Sequence, residues 1–95
     1  MSKGYTGIKE TTDTKEWYLN GQRYRVGGPA IEYSNGRKEW WLNDKLHRTD
    51  GPAVERTDGS KAWFIKGKSY TKPTYYKELF KQGLITEEEY FLELV

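Results

Sequence analysis

Five consecutive residues, His47-Arg48-Thr49-Asp50-Gly51, put an imidazole, a guanidinium and a carboxylate on one short stretch of chain. The chemistry they suggest is proton transfer, with His47 as general base and Asp50 orienting its ring. The same residues also read as structure, with His47 across a strand pair from Trp40 and Asp50 in an Asx-type turn ahead of Gly51. Tyr24 and Tyr70 occupy the corresponding positions elsewhere in the chain, which favours packing. Glu32 and Glu39 are the next candidates, because two opposed carboxylates are the equipment of a glycosidase. Like charges face to face are unfavourable unless Arg25 or Arg48 shares them, so the pair reads as a solvated charge ladder. One histidine with scattered Asp44, Asp50 and Asp58 falls short of a metal-ligand set. Cysteine is absent, which removes disulfides, thiolate zinc sites and a thiol nucleophile. The Gly-Gly-Pro and Asp-Gly-Pro stretches are linkers rather than phosphate loops, since no helix follows them and proline lacks a donor. The residues therefore predict no catalytic group, no metal and no cofactor.

Aromatic and basic residues offer a different chemistry, that of binding. Tyr18, Trp41 and Phe64, with Arg23, Arg25 and Arg48, include the residue types that anchor protein interfaces. What must position them is a repeat. Residues 14–36 align with residues 37–59 at 11 identities in 23 positions, among them Trp17/Trp40, Arg25/Arg48, Gly28/Gly51, Pro29/Pro52, Ala30/Ala53 and Glu32/Glu55. A third copy starts at Ser60, keeps phase through Trp63, Ile65, Gly67 and Tyr70, and breaks off at Pro73. Ile8 belongs to a half-copy ahead of the first.

Each unit reads as β structure. Asn35-Gly36 and Asp58-Gly59 are type I′ hairpin signals, and Asn20-Gly21, Asn43-Asp44 and Lys66-Gly67 mark turns on the far side of the Trp strand. Two-residue loops set a register in which Ile31 faces Trp40, Glu32 faces Glu39, Trp40 faces His47 and Glu39 faces Arg48. By the same rule Ile8 lies with Trp17 and Tyr24, and Val54 with Trp63 and Tyr70. One face then carries these aliphatic, Trp and Tyr or His rows with Leu19, Leu42 and Ile65, and is the expected core face. The other carries Tyr18, Trp41 and Phe64 with Ala30 and Ala53, among Glu16–Arg25 and Glu39–Arg48 pairs.

After Pro73 the spacing turns helical. Thr74 to Gln82 predicts a helix stopped by Gly83, and Thr86-Glu87-Glu88-Glu89 is a capping box opening a second through about Leu94. Both are shorter than the ~12–15 residues at which a lone helix becomes marginally stable, so both must dock. Tyr75, Tyr76, Leu79, Phe80, Leu84, Ile85, Tyr90, Phe91 and Leu94 supply the docking surface. The predicted fold is α+β: an antiparallel β-meander of hairpin repeats over residues 1–72, with a helical hairpin over 73–95 packed on the sheet of the same single domain.

Composition sets the limits on that fold. Ninety-five residues allow one small core. Hydrophobic residues are 35% of the chain and charged residues 32%, with a mean hydropathy of −0.99, which approaches the composition of a disordered chain. Four Trp, eight Tyr and three Phe offset this, since a large ring buries about 150–250 Å². No apolar run suggests a signal peptide or a membrane span, and the lack of cysteine fits a reducing cytoplasm. Net charge is +2, unevenly placed: residues 1–72 hold 14 Lys/Arg against 9 Asp/Glu, and residues 73–95 hold 2 against 5. A basic sheet thus meets an acidic helical end.

The stretch Trp40 to Ala53, W-x-x-N-x-x-x-H-R-x-D-G-P-A, is similar to a repeat in uncharacterised proteins of tailed bacteriophages and giant viruses. It resembles the MORN-variant repeats, some of which occur in proteins annotated in that family as antitoxins. The first unit departs from the pattern, with Tyr24 in place of the His and Gly27 in place of the Asp. The tail from Leu79 to Tyr90 also looks like the short helical G-x-I-T-x-E-E tails of many bacterial proteins. The repeat resemblance implies a β-hairpin array that binds something. The first function class is a non-enzymatic module that binds and inhibits or neutralises a host protein, anti-defence or antitoxin-like, in the host cytoplasm. Its anchors would be Tyr18, Trp41 and Phe64 with Arg23, Arg25 and Arg48. The second class is single-stranded nucleic-acid binding by aromatic stacking beside basic side chains. It ranks second because Glu16, Glu32, Glu39 and Glu55 would share the aromatic face and repel phosphate. No membrane partner is expected, and an open sheet edge or leftover aromatic face is compatible with a homodimer.

Overall fold

In the computed structural model, which describes residues 4–94, short strands precede two helices. The strands are β1 (Gly7–Glu10), β2 (Thr14–Leu19), β3 (Gln22–Arg23), β4 (Ile31–Tyr33), β5 (Lys38–Glu39), β6 (Trp41–Leu42), β7 (Lys45–Leu46), β8 (Val54–Glu55), β9 (Lys61–Ile65) and β10 (Lys68–Tyr70). The helices are α1 (Lys72–Lys81) and α2 (Glu87–Leu94). One sheet follows the path β1-β2-β4-β5-β8-β9-β10, with β3 also paired to β2, while β6 pairs with β7. Every pairing is antiparallel, so the architecture is the expected α+β meander.

Turn geometry decides the register. At Asn20-Gly21, Asn43-Asp44 and Lys66-Gly67 both central residues are left-handed, with φ from 51° to 84°, as a type I′ turn requires. Trp17 accordingly meets Tyr24, Trp40 meets His47 and Trp63 meets Tyr70. The type I′ expectation fails at Asn35-Gly36 and Asp58-Gly59. Those loops have three residues, Ser34 to Gly36 and Thr57 to Gly59, and only the glycines are left-handed (φ 97° and 87°). Asn35 and Asp58 instead accept the backbone N–H two residues on, each at 2.9 Å.

The extra loop residue shifts the pairing by one, which moves side chains to the other face. Ile31 lies opposite Glu39 rather than Trp40, Glu32 opposite Lys38 rather than Glu39, and Val54 opposite Ala62 rather than Trp63. Ile31 and Val54 therefore share a side with Glu16, Tyr18, Glu39 and Trp41, not with the Trp17 row. The opposed Glu32–Glu39 pair does not form. Glu10, Lys15, Glu32, Lys38, Glu55 and Lys61 instead run across the sheet with alternating sign. Each neighbouring pair of that row contributes roughly 0.2–1 kcal/mol.

The repeat identities converge on one local structure. Both β3 and β4 run along the same edge of β2, interrupted by residues 25–29. Trp17 bridges the interruption: its N–H donates to the Ala30 carbonyl (2.8 Å) and its carbonyl accepts from Tyr24 (3.1 Å). Trp40 does the same with Ala53 (2.8 Å) and His47 (3.0 Å) across residues 48–52. By this pairing Ala30 and Ala53 lie on the Trp side, not with Tyr18 as expected. The interrupted segment returns an arginine onto the indole. The guanidinium carbons of Arg25 and Arg48 each lie 3.8 Å from the ring centres of Trp17 and Trp40.

Hydrogen bonds hold each arginine down. Arg25 donates to Glu32 (3.0 Å) and the Pro29 carbonyl (3.4 Å). Arg48 donates to Asp50 (2.8 Å), the Pro52 carbonyl (3.0 Å) and Glu55 (3.1 Å). A Cβ on Gly28 or Gly51 would lie 3.1 or 2.7 Å from the arginine Cζ, so glycine makes room for the clamp. The expected Glu16–Arg25 and Glu39–Arg48 pairs are thus replaced by Glu16–Arg23 (3.4 Å) and Glu39–Arg37 (2.7 Å). Asp50 serves as a partner for Arg48 rather than in an Asx turn.

In the third unit the position of the clamp arginine is Thr71, and a helix takes over. Thr71 caps α1 by accepting the Thr74 N–H (3.4 Å), and Pro73 sits in the first turn, so the helix starts ahead of the expected Thr74. Tyr75 and Tyr76 place their rings 5.0 and 5.6 Å from Trp63. Ile65, Tyr75 and Leu79 form the buried cluster between α1 and the sheet. The Tyr75 hydroxyl donates to the Gly51 carbonyl (2.9 Å) and lies against that of Arg48, tying the helix to the second repeat. Gly83, with φ 72°, ends the first helix, and Thr86 and Glu89 exchange the two bonds of a capping box (2.9 and 3.1 Å).

Not all of the expected docking surface docks. No residue of α2 is buried, and Phe80, Leu84, Phe91 and Leu94 stay exposed. The helices cover only the Trp63 end of the Trp side; farther along, Arg25 and Arg48 close over Trp17 and Trp40 and Ala30 and Ala53 are buried, while Ile8 and Leu19 stay exposed. The molecule is accordingly flat, 42 × 36 × 19 Å, with a radius of gyration of 14.7 Å. A compact domain of this length would have about 12 Å.

Candidate functional site

Three of the six residues singled out in the sequence come together on the side away from the helices. Tyr18 and Arg23 are cross-strand partners in the β2–β3 hairpin. The Arg23 guanidinium lies 5.9 Å from the Tyr18 ring centre and 5.2 Å from that of Trp41, on β6 of the next repeat. Lys9, opposite Glu16 in the β1–β2 register, extends the series, its Nζ 5.1 Å from the Tyr18 ring and 5.0 Å from the Tyr5 ring. From Tyr5 through Lys9, Tyr18 and Arg23 to Trp41, rings and cations alternate. Each such contact contributes about 0.5–1 kcal/mol at an exposed site.

Two carboxylates anchor this ladder. Glu16 accepts from the Tyr18 hydroxyl (2.8 Å) and from Thr14 (3.0 Å). Arg23 Nε sits 3.4 Å from the same carboxylate, a charge contact without the alignment of a hydrogen bond. Glu39, only 6% exposed, accepts from the Trp41 indole N–H (3.0 Å) and from Arg37 Nε (2.9 Å). Burial works to raise the Glu16 pKa, but the bonds from Tyr18 and Thr14 and the Arg23 charge outweigh it and hold it low. Burial, with the bond to Glu16, raises the Tyr18 pKa; burial, with the negative Glu39, raises that of Tyr33. Both phenols therefore stay protonated donors at neutral pH.

Among the other sequence candidates, Phe64 lies on the same side as Tyr18, one repeat beyond Trp41. Arg25 and Arg48 lie on the Trp side, spent on Trp17 and Trp40, and Glu32 and Glu55 go with them. The carboxylates expected to crowd the aromatic face thus reduce to Glu16 and Glu39. Sequence reasoning missed Tyr5, Lys9 and Arg37 as members of the site. Lys9 was recoverable from the Ile8–Trp17 register, which puts it opposite Glu16. Tyr5 precedes the first strand and has no periodic signal, and Arg37 changes its neighbours with the three-residue loop.

The other chemical candidates are occupied by structure. His47 Nδ1 accepts the Lys66 backbone N–H at 2.9 Å, so the ring joins the second repeat to the third. Burial and the Lys66 charge lower its pKa. Asp50 is engaged by Arg48, so no base-and-orienter pair is assembled. A cleft of about 260 Å³ lies between the two arginine loops, lined by Arg25, Trp40, Arg48 and Asp50 among others. Its guanidinium groups already pair with Glu32, Asp50 and Glu55, which leaves no net attraction for an anion. Among the described residues no group of three or more His, Cys, Asp or Glu side chains is placed to hold a metal ion. No helix among them is long and apolar enough to cross a membrane. Compared with family models, with curated proteins and with solved structures, the chain matches none.

Proposed function

We propose that this protein is a non-catalytic binding module that inhibits or neutralises a partner protein by contact through its Tyr18–Arg23–Trp41 face. The observation that carries this reading is the packing of a tyrosine, an arginine and a tryptophan into one half-exposed cluster on the side left free by the helices. Those are the residue types that dominate interface hot spots. Their polar tips are held by Glu16 and Glu39, so the rings are fixed before contact and little side-chain entropy remains to be lost. The resemblance of the repeat to phage and giant-virus proteins points to a host protein as the partner.

Single-stranded nucleic acid is the weaker alternative. Base stacking needs free ring faces, and here Lys9, Arg23, Arg25 and Arg48 already lie over Tyr18, Trp41, Trp17 and Trp40. The deciding experiment is affinity capture from nuclease-treated bacterial lysate, followed by reconstitution with the captured protein. The expected result is a stoichiometric complex that Trp41→Ala and Arg23→Ala each abolish while Lys61→Ala leaves it intact. Capture that survives Trp41→Ala and Arg23→Ala overturns the face. Tight oligonucleotide binding that weakens steeply with salt overturns the partner class.

A further inference from the structure

Arginine 23 stands apart from the other arginines of the chain. Arg25, Arg37, Arg48 and Arg56 each donate a hydrogen bond to a side-chain oxygen of the fold, on Glu32, Glu39, Asp50 and Ser60. The Arg23 guanidinium donates none among the described residues, and its Nε is the one buried side-chain nitrogen or oxygen among them without a hydrogen-bond partner. The carboxylate in contact with it, Glu16 at 3.4 Å, already accepts from Tyr18 and Thr14. Asp44 accepts the Arg23 backbone N–H (3.3 Å) and forms no ion pair with the side chain. Both Nη groups, unbonded within the fold and not buried, are left to water.

That position has a consequence for binding. The guanidinium lies 5.9 and 5.2 Å from the ring centres of Tyr18 and Trp41, so a partner that covers those rings also takes water away from Arg23. A cation whose donors lose water and gain no acceptor is strongly unfavourable. The fold supplies no acceptor, so the partner must. A carboxylate answers best, because its two oxygens meet two parallel N–H groups of the guanidinium in one plane. A diffuse polyanion is less suited. Lys9, Arg23 and Arg37 are matched around the ladder by Glu16, Glu39 and Asp44, and Arg56 in the next loop has Asp58 beside it. A phosphate backbone or an acidic run therefore finds no net positive surface there.

We propose that the protein bound at the Tyr18–Arg23–Trp41 face supplies a single Asp or Glu carboxylate to the Arg23 fork, from a segment whose neighbouring residues are uncharged and cover the rings. This inference rests on the proposed function and names the chemistry of the partner. Arg23 is then the residue that selects the partner, while Tyr18 and Trp41 provide contact area. A lysine cannot replace it, since an ammonium group is a point charge without the planar pair of donors.

Selection of phage-displayed random dodecapeptides on the full chain tests it, with the selected peptides then synthesised and titrated. The expected peptides lose binding with Trp41→Ala and share one acidic position. Changing that position to Asn or Gln should weaken binding at least about tenfold, and Arg23→Lys should do the same to the unchanged peptide. The two changes together should cost little more than either alone, as a double-mutant cycle reads for a direct pair. Circular dichroism checks that Arg23→Lys folds. Peptides that need Trp41 but have no acidic position, or whose acidic position adds independently to Arg23→Lys, overturn this inference and leave the face standing. Peptides indifferent to Trp41→Ala, or no binding peptide at all, overturn the face and the inference together. An oligothymidylate that competes with the peptides and depends on Arg23 puts a phosphate at the fork, which overturns the carboxylate.

Discussion

The second and third repeats start from the same indole on the same side of the sheet and cover it by different means. Trp40 is covered by Arg48, a side chain from its own repeat, tied by three hydrogen-bonded groups. Trp63 has no arginine and is covered by α1, through Tyr75 and Tyr76. An arginine clamp neutralises itself with Glu55 and Asp50 and leaves a polar surface on which another repeat can be laid. A helix brings apolar area that the array otherwise lacks, and it ends the array. The comparison explains how a chain with 32% charged residues holds so many rings in place: much of the charge sits on the rings.

The largest way to break the comparison is to empty the helical cover. Leu79 is fully buried against Ile65, so Leu79→Ala should cost about 2–5 kcal/mol, read from urea or thermal unfolding. Next comes the clamp. Arg48→Ala should cost roughly 2 kcal/mol, since it removes a stacked cation and leaves Glu55 and the Pro52 carbonyl short of a donor. Arg25→Ala should cost only about half of that, because the Arg25 side chain is more exposed (31% against 18%) and Gly27 replaces the aspartate partner. Equal losses at the two positions would show that Asp50 and deeper burial contribute nothing.

Gly51→Ala sharpens the same point without touching the charge. Its backbone φ is outside the left-handed region, so the cost is steric, a Cβ 2.7 Å from Arg48 Cζ. We expect a loss of about 1–2 kcal/mol, smaller at Gly28, where the distance is 3.1 Å. In the double variant with Arg48→Ala the glycine effect should largely disappear, which a double-mutant cycle reads directly.

The smallest effect concerns the joint between repeats. His47 must be neutral at Nδ1 to accept the Lys66 N–H, and its folded pKa lies below the ordinary 6.5. The native state therefore binds this proton less readily than the unfolded chain. The contribution is complete above pH 6.5 and is lost as pH falls through the folded pKa. His47→Tyr, the residue type of the first and third repeats, should remove that part of the pH dependence. It should also lose the bond itself, about 0.5–1.5 kcal/mol at neutral pH. Superimposable stability–pH profiles for the two proteins would refute the role.

Much of this was legible in the chain. The period of 23, the left-handed turns at Asn20-Gly21, Asn43-Asp44 and Lys66-Gly67, the Trp17–Tyr24 and Trp40–His47 pairings and the two capped helices follow from local residue chemistry. The Tyr18–Trp41 association was also visible as a row at constant spacing. What it lacked was the right arginine, because Arg23, Arg25 and Arg48 were equally basic in the sequence and only the first lies on that side.

Local chemistry therefore determined the repeat, the elements and their order. Only the tertiary structure decided the register of the long hairpins, the roles of the arginines and the side that the helices cover. The physical reason lies in the glycines at positions 36 and 59. A left-handed glycine suits both a two-residue and a three-residue loop, so the sequence admits two registers that put opposite residues on each face. Packing selects between them: the three-residue loop buries Ile31 and Val54, alternates the charges from Glu10 to Lys61, and frees Arg25 and Arg48 to close over tryptophan.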